Sequence, residues 1–115
     1  MNLQILTLKN LKELYSKGWK VEILNNYSNN YSANTFPNYR LIEFYKNNIK
    51  NRDDFDLTIL HEFVHAQDYE FDNLNESGIS DDDSYENFTE SRAIFVYKNF
   101  PEILDTIKRY YPILK

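Results

Sequence analysis

The sequence contains no cysteine. Disulfides and thiolate metal sites are therefore excluded, and a reducing compartment suits the chain. No stretch approaches the roughly 18 consecutive apolar residues that a membrane helix needs. The N-terminus, Met1-Asn2-Leu3-Gln4-Ile5-Leu6, lacks the basic start and long apolar run of a signal peptide. These absences make a cytoplasmic protein that does not engage a membrane the expectation. A basic face is also missing: the formal net charge is -5, which argues against nucleic acid as a partner. Internal repeats and domain-dividing linkers are not found. The acidic runs at Asp53-Asp54 and Asp81-Asp82-Asp83 read as a helix start and a solvated loop. A calcium loop would need EF-hand spacing and a central glycine, and both are missing.

What the chain does have is aromatic bulk. Ten tyrosines and eight phenylalanines in 115 residues can supply the core of one small domain spanning residues 1–115. Leu8, Leu11, Leu14 and Tyr15 recur at helical spacing over residues 7–18, and Gly18 supplies a stop. Trp19 to Leu24 alternates as a half-buried strand. Residues 25–38, rich in Asn and Ser, form a loop or hairpin that has room for a short strand. Arg40 to Lys46 is the second clear strand. A helix capped by Asp53 runs to about Phe71, with Phe55, Ile59, Phe63 and Val64 as its apolar stripe. After a polar connection over 72–82, Asp83 and Glu86 resemble a capping box for a helix ending near Asn99. Pro101 opens a last helix whose Ile103, Leu104 and Ile107 face inward. The fold class expected is α+β, with a small, mostly antiparallel sheet.

The chemistry lies in His61-Glu62-Phe63-Val64-His65, which uses both of the chain's histidines. Four residues apart on a helix, the two imidazoles share one face and can reach one zinc ion. Glu62 is poorly placed as a ligand but well placed to take a proton from a zinc-polarised water. A catalytic zinc needs a third protein ligand, and with no third histidine that ligand is a carboxylate. Asp68 and Asp72 lie further along the same helix, and Glu86 and Glu90 on the next. Glu90 is favoured. It sits mid-helix with small residues at Ser91 and Ala93 close by, on a stripe that continues through Ala93, Ile94 and Tyr97, and a carboxylate on an inward face needs a partner. Glu86 is second choice.

This layout resembles the gluzincin clan of zinc peptidases, with HExxH on an active-site helix and a ligand Glu on a later one. In size it is most similar to the minigluzincin group. The resemblance implies a minimal zincin-type domain with Zn2+ held by His61, His65 and Glu90. It also implies an endopeptidase acting on extended or unfolded polypeptides, and a latent state blocked by the chain itself or by self-association. The strand ending near Tyr45 would be the edge strand above the cleft. Many gluzincins carry an Asp four residues after the ligand Glu. Here that position is Ile94, so Asp68 or Asp72 would take over support of a histidine. Tyr97, seven residues after Glu90, is the candidate to stabilise an oxyanion, with packing in the core as its favoured alternative role. The tail Tyr111–Lys115 is expected to pack into the core and not to block the cleft. The alternative function is a zinc-binding domain without activity that acts in protein interaction. Glu62 argues against it, because a structural site has no use for that residue.

Overall fold

A computed structural model of the chain describes residues 4–25, 30–72 and 83–115. Among these residues it is a compact α+β domain with four α-helices and a three-stranded mixed sheet. Helix α1 spans Leu8–Ser16, and its N-cap Thr7 accepts from the Asn10 amide at 3.1 Å. It ends where expected, because Gly18 adopts φ +88°, the left-handed conformation that closes a helix. Strands β1 (Lys20–Leu24), β2 (Ala33–Phe36) and β3 (Leu41–Tyr45) follow.

The strand order is β1-β3-β2, with β1 parallel and β2 antiparallel to β3. Two expectations change here. The sheet is mixed, and the strand ending at Tyr45 is central. The edge strand is β2, inside the Asn-rich segment that offered only a weak strand signal. The turn that returns β2 into β3 runs through a 3₁₀ turn at Pro37–Tyr39 to Arg40, which has φ 47°. Arg40 therefore precedes the strand and does not begin it. Its guanidinium is tied to Glu70 at 2.8 Å, which helps hold this left-handed residue.

Helix α2 (Arg52–Phe71) lies across the inner face of the sheet and also touches α1, α3 and α4. Its N-cap is Asn51, two residues before the expected Asp53. Asn51 Oδ1 accepts from the Asp54 amide at 2.9 Å, and Asp53 and Asp54 occupy the first turn. Asp56, one turn into the helix, is buried and meets Lys108 at 2.9 Å and Arg52 at 3.3 Å. Helix α3 spans Asp83–Asn99 and α4 spans Pro101–Tyr110. Ile103, Leu104 and Ile107 are buried as expected, and the tail packs inward through Tyr111 and Leu114. The connection expected over 72–82, beyond Asp72, lies outside the described residues, as do Asp81 and Asp82 and residues 26–29. No helix among the described residues is long and apolar enough to cross a membrane.

Because α2 is covered on several sides, its central polar residues are buried and need partners. The Gln67 amide donates to the carbonyls of Gln4 and Ile5, and its oxygen accepts from Asn10. Asp68, 0% exposed, receives both arms of Arg92 at 2.8 and 2.7 Å. Paired contacts of Asp53 with Tyr97, His61 with Glu90 and His65 with Tyr85 show that α2 and α3 run antiparallel. Replacing Asp68 by Ala leaves the Arg92 charge buried without its carboxylate. The expected loss is about 3–5 kcal/mol of unfolding free energy in urea melts of the metal-free protein. A loss below ~1 kcal/mol would mean that the pair acts like a solvated surface bridge.

Candidate metal centre

A cleft of about 710 Å³ opens between β2, α2 and the first turns of α3. Among the described residues its walls carry five carboxylates, Asp54, Glu62, Asp83, Glu86 and Glu90, and no lysine or arginine. Such a wall attracts cations.

His61 and His65 lie one turn apart on α2, with ring centroids 4.8 Å apart and planes 72° from parallel. Their Nε2 atoms approach to 3.2 Å. Glu86 reaches both, with Oε2 at 3.1 Å from His61 Nε2 and Oε1 at 3.1 Å from His65 Nε2. One ligand atom from each of the three residues fits within a 4.8 Å spread.

The other ring nitrogens determine the tautomers. His65 Nδ1 stands 3.1 Å from the Tyr85 hydroxyl, and that hydroxyl donates to Asp68 Oδ2 at 2.6 Å. Burial and the Asp68 carboxylate raise the Tyr85 pKa, so the phenol keeps its proton. With its own hydrogen spent on Asp68, the Tyr85 oxygen accepts from His65 Nδ1–H. His61 Nδ1 faces Glu90 Oε1 at 3.4 Å, and a carboxylate can only accept. In the neutral imidazoles both lone pairs are therefore on Nε2, pointing at each other and at an anion. That grouping is stable only around a cation, either a proton or a metal ion.

Without a metal, the proton is held tightly. Burial lowers the His61 pKa, but hydrogen bonds donated to Glu86 and Glu90 and the charges of Glu62 and Glu90 outweigh it and raise it from 6.5 to about 10. Glu86 shows the converse. Burial raises its pKa, yet the two histidines bring it down from 4.5 to about 2.

The donor set fits zinc. Two ligands at about 2.0–2.1 Å from one tetrahedral zinc stand about 3.3–3.4 Å apart, close to the 3.1–3.2 Å separations found here. Protein donors from two facing helices account for three positions, and the cleft leaves a fourth side open to solvent.

The sequence-predicted residues are distributed unequally. His61, Glu62, His65 and Glu90 all line the cleft. Glu90, however, has a side chain 49% exposed and faces the outer nitrogen of His61, so it is not the inward carboxylate expected. Glu86 takes the place between the two Nε2 atoms, and its carboxylate is not folded back onto the helix start as a capping box would require. Asp72 caps the end of α2 and is not part of the cluster. Tyr97 is not brought to the cleft, because its hydroxyl donates to Asp53 at the start of α2. Ile94 offers no support to a histidine, and Asp68 supplies it through Tyr85. Sequence reasoning missed Tyr85 and also Thr35, whose hydroxyl donates to Glu62 Oε1 at 2.9 Å. Heptad arithmetic places Tyr85 on the same stripe as Arg92, a signal that was there to find. Thr35 carried none.

No family model, curated protein or solved structure matches this chain.

Two outcomes follow. Glu86→Ala should lower zinc affinity more than 100-fold, while Glu90→Gln, which perturbs only the orientation of His61, should cost about tenfold. Competition titrations against a chelator rank the two, and the reverse order would return the ligand role to Glu90. Because His61 must give up its proton to bind, one zinc ion taken up at pH 8 should release about one proton. Apparent affinity should then rise with pH until about pH 10, where metal-free His61 is already neutral. Zinc uptake in weak buffer without proton release would exclude His61 as a ligand.

Proposed function

We propose that this chain is a zinc-dependent peptidase of the gluzincin kind, acting on extended or unfolded polypeptides. The observation that carries the proposal is the convergence of His61 Nε2, His65 Nε2 and the Glu86 carboxylate beside Glu62, on the floor of an open cleft. A purely structural metal site has no need for the buried carboxylate of Glu62. The proposed ligands are His61, His65 and Glu86, with Glu90 orienting His61 and the Tyr85–Asp68–Arg92 chain orienting His65. These residues stand in a zincin-like order: an edge strand, a helix with both histidines, and a second helix with the ligand glutamate.

When bound, zinc supplies Lewis acidity, polarising a water molecule and the carbonyl to be cleaved. Glu62 acts as the base, taking a proton from the attacking water and then passing it to the departing amine. Among the described residues no strand pairs with the outer edge of β2, which runs along the cleft, and an extended backbone can add to it as a further strand. Tyr97 has no part in this scheme.

One observation favours a competing view. The cluster joins α2 to α3 across a long connection, as a structural staple would. That view expects zinc without turnover. Wild-type protein and Glu62→Gln, loaded with zinc and incubated with casein at several dilutions, separate the two. Glu62→Gln should retain stoichiometric zinc and lose cleavage by about 10²–10⁴-fold. A wild-type protein that binds no zinc, or that binds zinc and never cleaves even when dilute, would end the peptidase proposal.

A further inference from the structure

We propose that Thr35 is a positioning residue for the base: its hydroxyl fixes Glu62 in the orientation that proton transfer requires. This inference rests on the peptidase function proposed above.

Glu62 is 7% exposed. An ionised carboxylate at that depth needs a donor. Among the described residues Glu62 has no lysine or arginine partner, and its hydrogen bond comes from Thr35, at 2.9 Å to Oε1. The same hydroxyl lies 3.4 Å from the Glu62 backbone carbonyl, so it sits over both ends of the residue.

Backbone register directs the hydroxyl there. Thr35 pairs with Ile42 and Ala33 with Phe44, and both of those β3 partners are 0% exposed. Thr35 therefore belongs to the face of β2 that packs onto α2. Its β-branched side chain is restricted in χ1, which holds the donor in place. A hydroxyl has one proton to give. With that proton on Oε1, the carboxylate is held against rotation while Oε2 is left without this donor and can receive a proton from water. A carboxylate free to rotate would be misaligned part of the time, and small misplacements of a reacting group reduce rate steeply.

Thr35 also stands on the edge strand proposed to pair with substrate. A peptide seated on β2 and the base beneath it are then positioned by one strand.

The test compares Thr35→Val, which keeps the shape and removes the hydroxyl, with Thr35→Ser, which keeps the hydroxyl. Both are measured as zinc-loaded protein on casein-derived peptides, beside wild type and Glu62→Gln. Thr35→Val should lower kcat by about 10–100-fold, with KM and zinc affinity close to wild type; loss of the donor to the buried carboxylate should also lower its urea midpoint, and Thr35→Ser should restore most of both. If the wild type cleaves and Thr35→Val cleaves equally well, the positioning role is overturned and the peptidase function stands. If Val and Ser fall together with the urea midpoint, Thr35 is a packing residue and the role is overturned. If wild-type protein binds zinc without cleaving, both proposals fall together.

Discussion

The buried pair of Arg92 and Asp68 sets the relation between the two helices on which the site depends. Both side chains are nearly or wholly inaccessible, and the guanidinium meets the carboxylate with two hydrogen bonds. Such a pair adds little stability over well-packed apolar residues, but losing its alignment is costly. It therefore acts as a register pin between α2 and α3. With Arg92 opposite Asp68 and the helices antiparallel, Tyr85 falls beside His65 and Glu86 falls between the two histidines. The Arg92 guanidinium also donates to the Gln4 carbonyl, tying the N-terminal segment to the same point.

From that pin, hydrogen bonds run outward to the candidate metal cluster. Arg92 donates to Asp68, Asp68 also accepts a hydrogen bond from the Tyr85 hydroxyl, and the Tyr85 oxygen accepts one from His65 Nδ1–H. Each step is directional, because an acidic oxygen or a spent hydroxyl can only accept. The lone pair of His65 consequently points into the cleft. On the solvent side, Glu90 does the same for His61 more weakly, through a longer contact to an exposed carboxylate. The inner histidine is thus tied by a buried chain of hydrogen bonds and the outer one by a single longer contact.

Much of the secondary structure was legible because it depends on local chemistry. Gly18 ends α1 through its left-handed φ, Pro101 opens α4, and Ile59, Phe63 and Val64 bury one face of α2. The pairing of strands was not local. A strand in Asn and Ser carries no apolar alternation, so β2 is recognised only once β3 lies beside it. The first cap of α2 was misplaced by two residues, since Asn51, Asp53 and Asp54 are all competent caps and the preceding turn selects among them.

The candidate centre divides along the same line. The sequence by itself determined His61, Glu62 and His65, because a four-residue spacing on one helix puts two imidazoles on one face whatever surrounds them. It could also show that any third protein ligand beside two histidines would have to be a carboxylate. Only the tertiary structure shows that Glu86, and not Glu90, stands between the two Nε2 atoms. Glu86 and Glu90 are both one turn apart on α3, and the choice depends on how far that helix slides along α2. That slide is fixed by Arg92 meeting Asp68, a contact between residues 24 positions apart that no helical period can encode.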